Sequence, residues 1–310
     1  MPNLFVQSTN VNEAPPRRAL VTGASGYVGS HLARRLLAAG WKVHVLLRAG
    51  SSFPAPAPAL TVHRFEGATE DLVRIVQQAA PDVVFHLAAV FVAEHRPQDV
   101  APLVQANLLF ATQLAEAMRV AGVRKLVNTG TAWQHYGDRD YDPVNLYAAT
   151  KQAFEAILAY YVNAHAFRVA TLVLFDTYGP GDVRPKLMTA LWRAARSGER
   201  LAMSSGRQLL DLVYVDDVVD AYIAAADALR TAAPGQLHYR VSSGAPLRLT
   251  ELVAAFEAVA GLPIAADWGA RPDRPREMLL PWTGGAPPPG WQPRIALADG
   301  IRRSAPPADA

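Results

Sequence analysis

The chain reads as an α/β protein, a doubly wound parallel sheet followed by a smaller C-terminal lobe. Three observations point there. From Arg18 to Phe175 short apolar runs alternate with helix-period segments, the pattern of repeated strand–helix–strand crossovers. The runs show little polar alternation, as expected of strands covered on both faces. A glycine-rich turn joins the first run to the first helical segment. With 310 residues, 51% of them apolar and 18% charged, the chain can build a sizeable core, and global disorder is excluded.

Arg18–Thr22 is the first expected strand, and Ser30–Ala39 a helix stopped by Gly40. Lys42–Leu47 is a second strand, and the Ser-, Pro- and Ala-rich stretch 50–58 is a loop. Leu60–Phe65, Asp82–Leu87, Lys125–Thr129 and Arg168–Phe175 complete six strands, separated by helices over 70–79, 98–121 and 146–165. After Asp176 the segments shorten, punctuated by Pro180, Pro185, Gly198 and Gly206. A strand–helix unit over 212–229 is placed to return to the sheet. The Pro-, Gly- and Trp-rich stretch 263–293 suits a small lobe closing over a ligand.

Charge and composition exclude several functions. Thirty Lys and Arg against 27 Asp and Glu give a net +3 spread along the chain, not the clustered basic face a nucleic-acid binder needs. The absence of cysteine rules out disulfides, thiolate metal sites and cysteine nucleophiles, and no other metal-ligand spacing is present. The longest apolar run, 83–93, is too short to span a bilayer. Residues 1–16 lack the order of a targeting segment. A soluble, cytoplasmic protein is expected.

Residues 21–29, Val-Thr-Gly-Ala-Ser-Gly-Tyr-Val-Gly, lie between the first strand and first helix. Gly23 permits a tight turn, Gly26 lets backbone approach a pyrophosphate, and Gly29 allows close helix–strand packing. The opening helix then presents N–H groups and its positive dipole end to phosphate. In this context the turn, in its G-x-x-G-x-x-G form, is expected to be the nucleotide-binding turn of a Rossmann sheet rather than an ordinary turn, with Ser25, Tyr27 and Val28 also expected in the cofactor cradle. At the end of the second strand, where an acid would accept from an adenosine ribose, the chain has Leu46-Leu47-Arg48. A guanidinium there favours a 2′-phosphate, so NADP(H) is expected over NAD(H).

Tyr147 and Lys151 stand at i and i+4 near the start of a long helix, hence on one face. Only four lysines occur in the chain, so the pairing is uncommon. A phenol's ordinary pKa is about 10, and a neighbouring ammonium is expected to lower it for proton exchange. Thr131, just after the fifth strand, is positioned to hold a substrate oxygen.

These motifs together resemble the extended short-chain dehydrogenase/reductases that act on nucleotide sugars. The resemblance runs from about Arg18 to Ile301. It includes Gly23–Gly29, the sequence His86-Leu87-Ala88-Ala89, Asn107, Thr131 and Tyr147 with Lys151. It continues through Tyr178-Gly179-Pro180-Gly181, residues 213–217 and Gly290-Trp291-Gln292-Pro293. Within that branch the run 174–182 and Lys186 look most like the CDP-abequose synthase type of NDP-4-keto-6-deoxyhexose 4-ketoreductase. The resemblance implies cofactor contacts at Leu87, Ala88, Ala89, Asn107, Tyr147 and Lys151. It implies substrate contacts at Thr131, Asp176 and Lys186, catalysis by Thr131, Tyr147 and Lys151, and a homodimer paired through the two long helices. It divides the chain into a Rossmann domain over 17–175, rejoined by 212–240, and a substrate-binding lobe over 176–211 and 241–303. Flexible tails are expected at 1–16 and 304–310.

Two departures from the family pattern matter. Leu210 stands where many relatives carry an arginine for the substrate diphosphate, a duty assigned here to Arg271 with Lys186 in support. Ala132-Trp133 follow Thr131 where 4,6-dehydratases carry an Asp-Glu pair, so dehydration has no general acid or base. Trp133 and His135 crowd the expected sugar site, and each could equally be packing, Trp133 in the core and His135 on a loop carbonyl. The implied activity is NADPH-dependent reduction of a sugar 4-keto group. An NAD-dependent nucleotide-sugar epimerase is the alternative. A reductase of a non-sugar carbonyl and an inactive cofactor-binding regulator stand further off.

Overall fold

A computed structural model describes residues 17–53 and 57–307; residues 54–56, within the expected loop, and the tail residues 1–16 and 308–310 lie outside it. The central sheet has seven strands in spatial order β11-β6-β5-β4-β1-β2-β3, and every pairing is parallel. These are β1 (Arg18–Thr22), β2 (Lys42–Arg48), β3 (Leu60–Phe65), β4 (Val83–His86), β5 (Lys125–Thr131), β6 (Arg168–Leu174) and β11 (Gly235–Val241). The order reverses between β1 and β4, so the carboxyl ends of those two strands open the crevice where such sheets bind ligands.

Helices cover both faces. On one side α1 (Tyr27–Ala38) and α7 (Val215–Ala228) bury Leu32, Leu36, Val218, Tyr222 and Ala225 against Val21, Val45 and Phe85. On the other, α2 (Thr69–Ala79), α4 (Phe110–Val120) and α5 (Leu146–His165) bury Leu72, Leu114, Met118, Phe154 and Leu158 on Leu20, Val84 and Val169. Successive strand residues serve opposite cores, which is why the strands read as unbroken apolar runs.

The single helix expected over 98–121 is broken. A 3₁₀ turn at 97–99 leads into α3 (Val100–Val104), a π turn over Gln105–Leu109 and then α4. The π turn coincides with Asn107, whose side chain is buried and bonded to Val90 and Thr150, a local insertion that periodicity does not register.

The lobe core gathers Tyr178, Met188, Leu191, Leu252, Phe256 and Ile301 from α6 (Leu187–Ser197), α8 (Leu249–Ala260), α9 (Leu297–Arg303) and three two-stranded pairs. The strand at the head of the 212–229 unit, β10 (Leu212–Tyr214), does not enter the central sheet but pairs with β7 (Asp176–Tyr178); β11 supplies the added sheet strand. The other pairs are β8 (Leu201–Met203) with β13 (Ala266–Trp268) and β9 (Leu209–Leu210) with β12 (Leu247–Arg248). Two motifs lock the lobe to the sheet: the Trp291 indole donates to the Asp217 carbonyl, and the Asp217 carboxylate accepts from the Arg294 and Ile295 amides. The expected tail from 304 is anchored at its start, because Ser304 is buried and accepts from Trp192, and the Pro307 carbonyl accepts from Arg196.

Candidate active site

The glycine turn is shaped by backbone contact. Gly23 adopts φ +72°, and a Cβ there would stand 2.6 Å from the Ala88 nitrogen. A Cβ on Gly29 would stand 2.2 Å from the Gly23 carbonyl oxygen. Only hydrogen fits at either position, so the turn is drawn tight between α1 and the end of β4. Thr22 Oγ1 accepts from the Ala88 amide at 3.2 Å and bonds His86 Nδ1 at 2.9 Å. Gly26 caps α1 with no side-chain bond, and the first helical turn holds no acid. Exposed Ser25 and Gly26 form the outer rim. This cradle fits a dinucleotide pyrophosphate, with the α1 amides facing the rim. His86 is a buried, hydrogen-bonded strand-end residue, and no group of three or more His, Asp or Glu side chains able to hold a metal occurs among the described residues.

Arg48 is exposed at the end of β2. Beside it, on β3, Arg64 donates to the Arg48 and Ser51 carbonyls at 3.2 and 2.6 Å, placing a second guanidinium group at the same strand end. Strand register across β2 and β3 decides this proximity.

Tyr147 and Lys151 face inward from the first two turns of α5. The helix begins where Asn145 caps the Ala148 amide and donates to the Ala93 carbonyl, which pins it beside the segment after β4. Lys151 is only 3% exposed. Burial drops its pKa from 10.5 to about 8, against an upward pull from Glu155. Tyr147 departs from expectation: burial pushes its phenol up to about 12, and Lys151 does not lower it. The cause is desolvation of the phenol itself, which disfavours its charged form.

Phe91, which the sequence did not single out, organises the open side of the pair. Its ring meets Tyr147 edge-on at 5.0 Å and Trp133 at 5.4 Å, and the Lys186 ammonium lies 4.6 Å from its centroid. Lys186 also pairs with Asp176 at 3.4 Å. Arg274 reaches over Trp133 and toward Glu94. Tyr147, Trp133, Asp176 and Lys186 are therefore brought together around one aromatic wall. Thr131 ends β5 close by: its hydroxyl accepts from the Trp133 amide and its own amide donates to Gln134.

Other candidates fall elsewhere. His135 stacks on Trp282 at 4.0 Å, bonds the Arg139 carbonyl, and its pKa is lowered by burial; these contacts are packing, the second of the two roles the sequence left open. Asn107 reaches Val90 and Thr150 rather than the open crevice, and so positions the loop after β4. Leu87 and Ala88 line the glycine turn, whereas Ala89 is exposed. Arg271 is exposed at the end of β13, with its amide on the Met203 carbonyl. Tyr27 packs under the Arg184 guanidinium, its hydroxyl buried, and Val28 packs into the α1 core.

Comparison with known proteins identifies the family. The profile of the NAD dependent epimerase/dehydratase family matches residues 19–242. The UDP-glucose 4-epimerase of Mycolicibacterium smegmatis is 31% identical over 93% of this chain and 97% of that protein. The CDP-abequose synthase of Yersinia pseudotuberculosis is 29% identical over 68% of this chain and 74% of that protein. Among solved structures, the UDP-glucose 4-epimerase of Thermus thermophilus in complex with NAD superposes with a TM-score of 0.79 at 26% identity, covering 93% of this chain and 97% of that one.

Proposed function

Because this chain belongs to the NAD dependent epimerase/dehydratase family, whose members modify nucleotide sugars with NAD(P), we propose that it reduces the 4-keto group of a nucleotide-activated 4-keto-6-deoxyhexose. When bound, the reduced nicotinamide supplies a hydride to the carbonyl carbon. Tyr147 gives its phenolic proton to the oxygen, so that C=O becomes CH–OH. Thr131 donates a hydrogen bond to that oxygen as charge develops on it. Lys151 orients the cofactor ribose and holds positive charge beside the phenol. Trp133, Phe91 and Lys186 bound the sugar pocket, and Arg271, exposed on the lobe segment after β13 and outside that cluster, is assigned to the diphosphate that extends beyond the sugar. The cofactor is held by the Gly23–Gly29 turn, and Arg48 with Arg64 at the β2–β3 end supports NADP(H).

One observation carries the choice of reduction: Arg48, with the Arg64 guanidinium beside it, ends β2 where an acid for the adenosine ribose would stand, which suits the NADPH of a reductase rather than the retained NAD of an epimerase. That second reading is favoured by the names of relatives, the 31% identical UDP-glucose 4-epimerase and the NAD-bound epimerase structure. It would use the same residues with NAD retained through both half-reactions. Ala132-Trp133 after Thr131 leave dehydration without acid or base. The exposed apolar residues Val100, Val104, Leu109 and Tyr160 on the two long helical segments support a homodimer.

The test is incubation with NADPH and a panel of dTDP-, CDP- and GDP-4-keto-6-deoxyhexoses, alongside UDP-glucose without added cofactor. Stoichiometric NADPH oxidation with a ketohexose is the expected result. Isomerisation of UDP-glucose with no net cofactor consumption would replace this reading with the epimerase.

A further inference from the structure

The face of α5 that carries Tyr147 and Lys151 continues one turn further to Glu155. This carboxylate is 5% exposed, an expensive place for a charge unless it is paired. Its Oε1 accepts from Gln134 Nε2 at 2.8 Å, and its Oε2 meets His238 Nε2 at 2.7 Å. Gln134 in turn accepts from the Thr131 amide. Gly130 makes the room: a Cβ there would stand 3.1 Å from Gln134 Oε1 and 3.5 Å from Glu155 Oε1. His238, on β11, is 44% exposed. Lys151 thus stands one helical turn, i to i+4, from a buried acid that is bonded to an imidazole at the surface.

We propose that Glu155 and His238 are positioning residues for the reacting pair: Glu155 is the buried counter-charge that holds Lys151 as an ammonium, and His238 sets how much of that charge Lys151 feels. The inference rests on reading Lys151 as the partner of Tyr147. The electrostatics are those of three coupled groups. While His238 is protonated, its charge offsets Glu155 and the ammonium is poorly supported. Once His238 is neutral, the carboxylate acts on Lys151 alone. The hydrogen bond to Glu155 raises the His238 pKa, and burial, opposed by Glu155, lowers that of Lys151, so the two titrations lie closer together than those of the free groups.

The surrounding titratable groups do not substitute for this pair. His86, from β4, faces Lys151, but burial drops its pKa to about 3, leaving it neutral. His135 lies near both Glu155 and His238, and its pKa too is lowered by burial. Tyr147, on α5, and Tyr222, on α7, are phenols held protonated by burial.

The test reads Lys151 directly, without substrate. With four lysines in the chain, the lysine side-chain Cε resonances of isotopically labelled protein resolve individually, and Lys151→Arg identifies the relevant one. In the unaltered protein the Lys151 curve has a main step and a smaller one at the His238 midpoint. Glu155→Gln, which keeps size and one acceptor, moves the main midpoint down by about one unit or more. His238→Gln, which keeps a donor toward Glu155 but no charge, removes the smaller step. An unchanged midpoint in Glu155→Gln, or a small step surviving in His238→Gln, overturns the proposal. Should Glu155→Gln not fold, the exposed His238→Gln curve alone decides. Failure of the ketoreductase reading would appear instead as UDP-glucose isomerisation with no net NADPH oxidation, leaving this titration unaffected.

Discussion

Replacing Gly29 by alanine probes the cofactor turn through a contact that no side chain can relieve. The new methyl carbon would lie 2.2 Å from the Gly23 carbonyl oxygen and 2.7 Å from its carbon, whereas non-bonded carbons rest about 3.5–4.0 Å from their neighbours. Both offending atoms are backbone, so α1 or the turn must shift by about 1 Å. Overpacking of this kind costs about 1–3 kcal/mol. At roughly 2–4 °C per kcal/mol for a domain of 150–250 residues, the cofactor-free protein should melt roughly 2–12 °C lower. A turn displaced that far also loses amide contacts to phosphate, so NADPH affinity, measured by fluorescence titration, should fall at least tenfold. Gly26→Ala is the internal control. Its φ of −83° suits any residue, and its Cβ would stand 3.2 Å from the Gly23 oxygen, a contact eased by a small adjustment. Gly26 is exposed on the rim, so its methyl should weaken NADPH binding while leaving the melting temperature nearly unchanged. A Gly29→Ala protein with wild-type melting and wild-type affinity would refute the packing argument.

Further outcomes follow from the same geometry. Tyr147→Phe should lower kcat by roughly 10²–10⁴-fold, the usual worth of a positioned proton donor, with NADPH affinity preserved in the same titration. Arg48→Ala, and more so the double change with Arg64→Ala, should raise KM for NADPH and leave KM for NADH unchanged; equal effects on both cofactors would remove the guanidinium pair from the 2′-phosphate. Lys151→Met should raise the melting temperature of the cofactor-free protein at pH 7. The folded pKa of Lys151, about 8, lies below its unfolded value of 10.5, so the unfolded chain binds more protons between the two and stability rises with pH across that window. The advantage of Lys151→Met should accordingly be full below pH 8 and fade toward pH 10.5. Phe91→Ala should raise KM for the sugar nucleotide more than it changes kcat.

Much of the frame was readable from residue order. β1, β3 and α5 occupy the spans that periodicity assigns them, because each is a run whose apolar spacing matches one element and whose ends carry a stop. Gly23, Gly29, Tyr147 and Lys151 were likewise visible, since turn chemistry and an i, i+4 pair are local relations. The lobe was less legible. Its paired strands are two or three residues long, too short to show a period.

Local sequence, then, determined the strand and helix identities, the phosphate turn and the placing of Tyr147 with Lys151 on one face, all set within a few residues of backbone geometry. Tertiary structure decided what lies between distant segments: Phe91 between Trp133 and Tyr147, Arg64 beside Arg48, and His238 on Glu155, more than eighty residues apart. It also set the ionisation of Tyr147 and Lys151, in the direction opposite to expectation for the phenol. A pKa depends on the depth of burial and on every charge nearby, and both are properties of the packed molecule rather than of any stretch of chain.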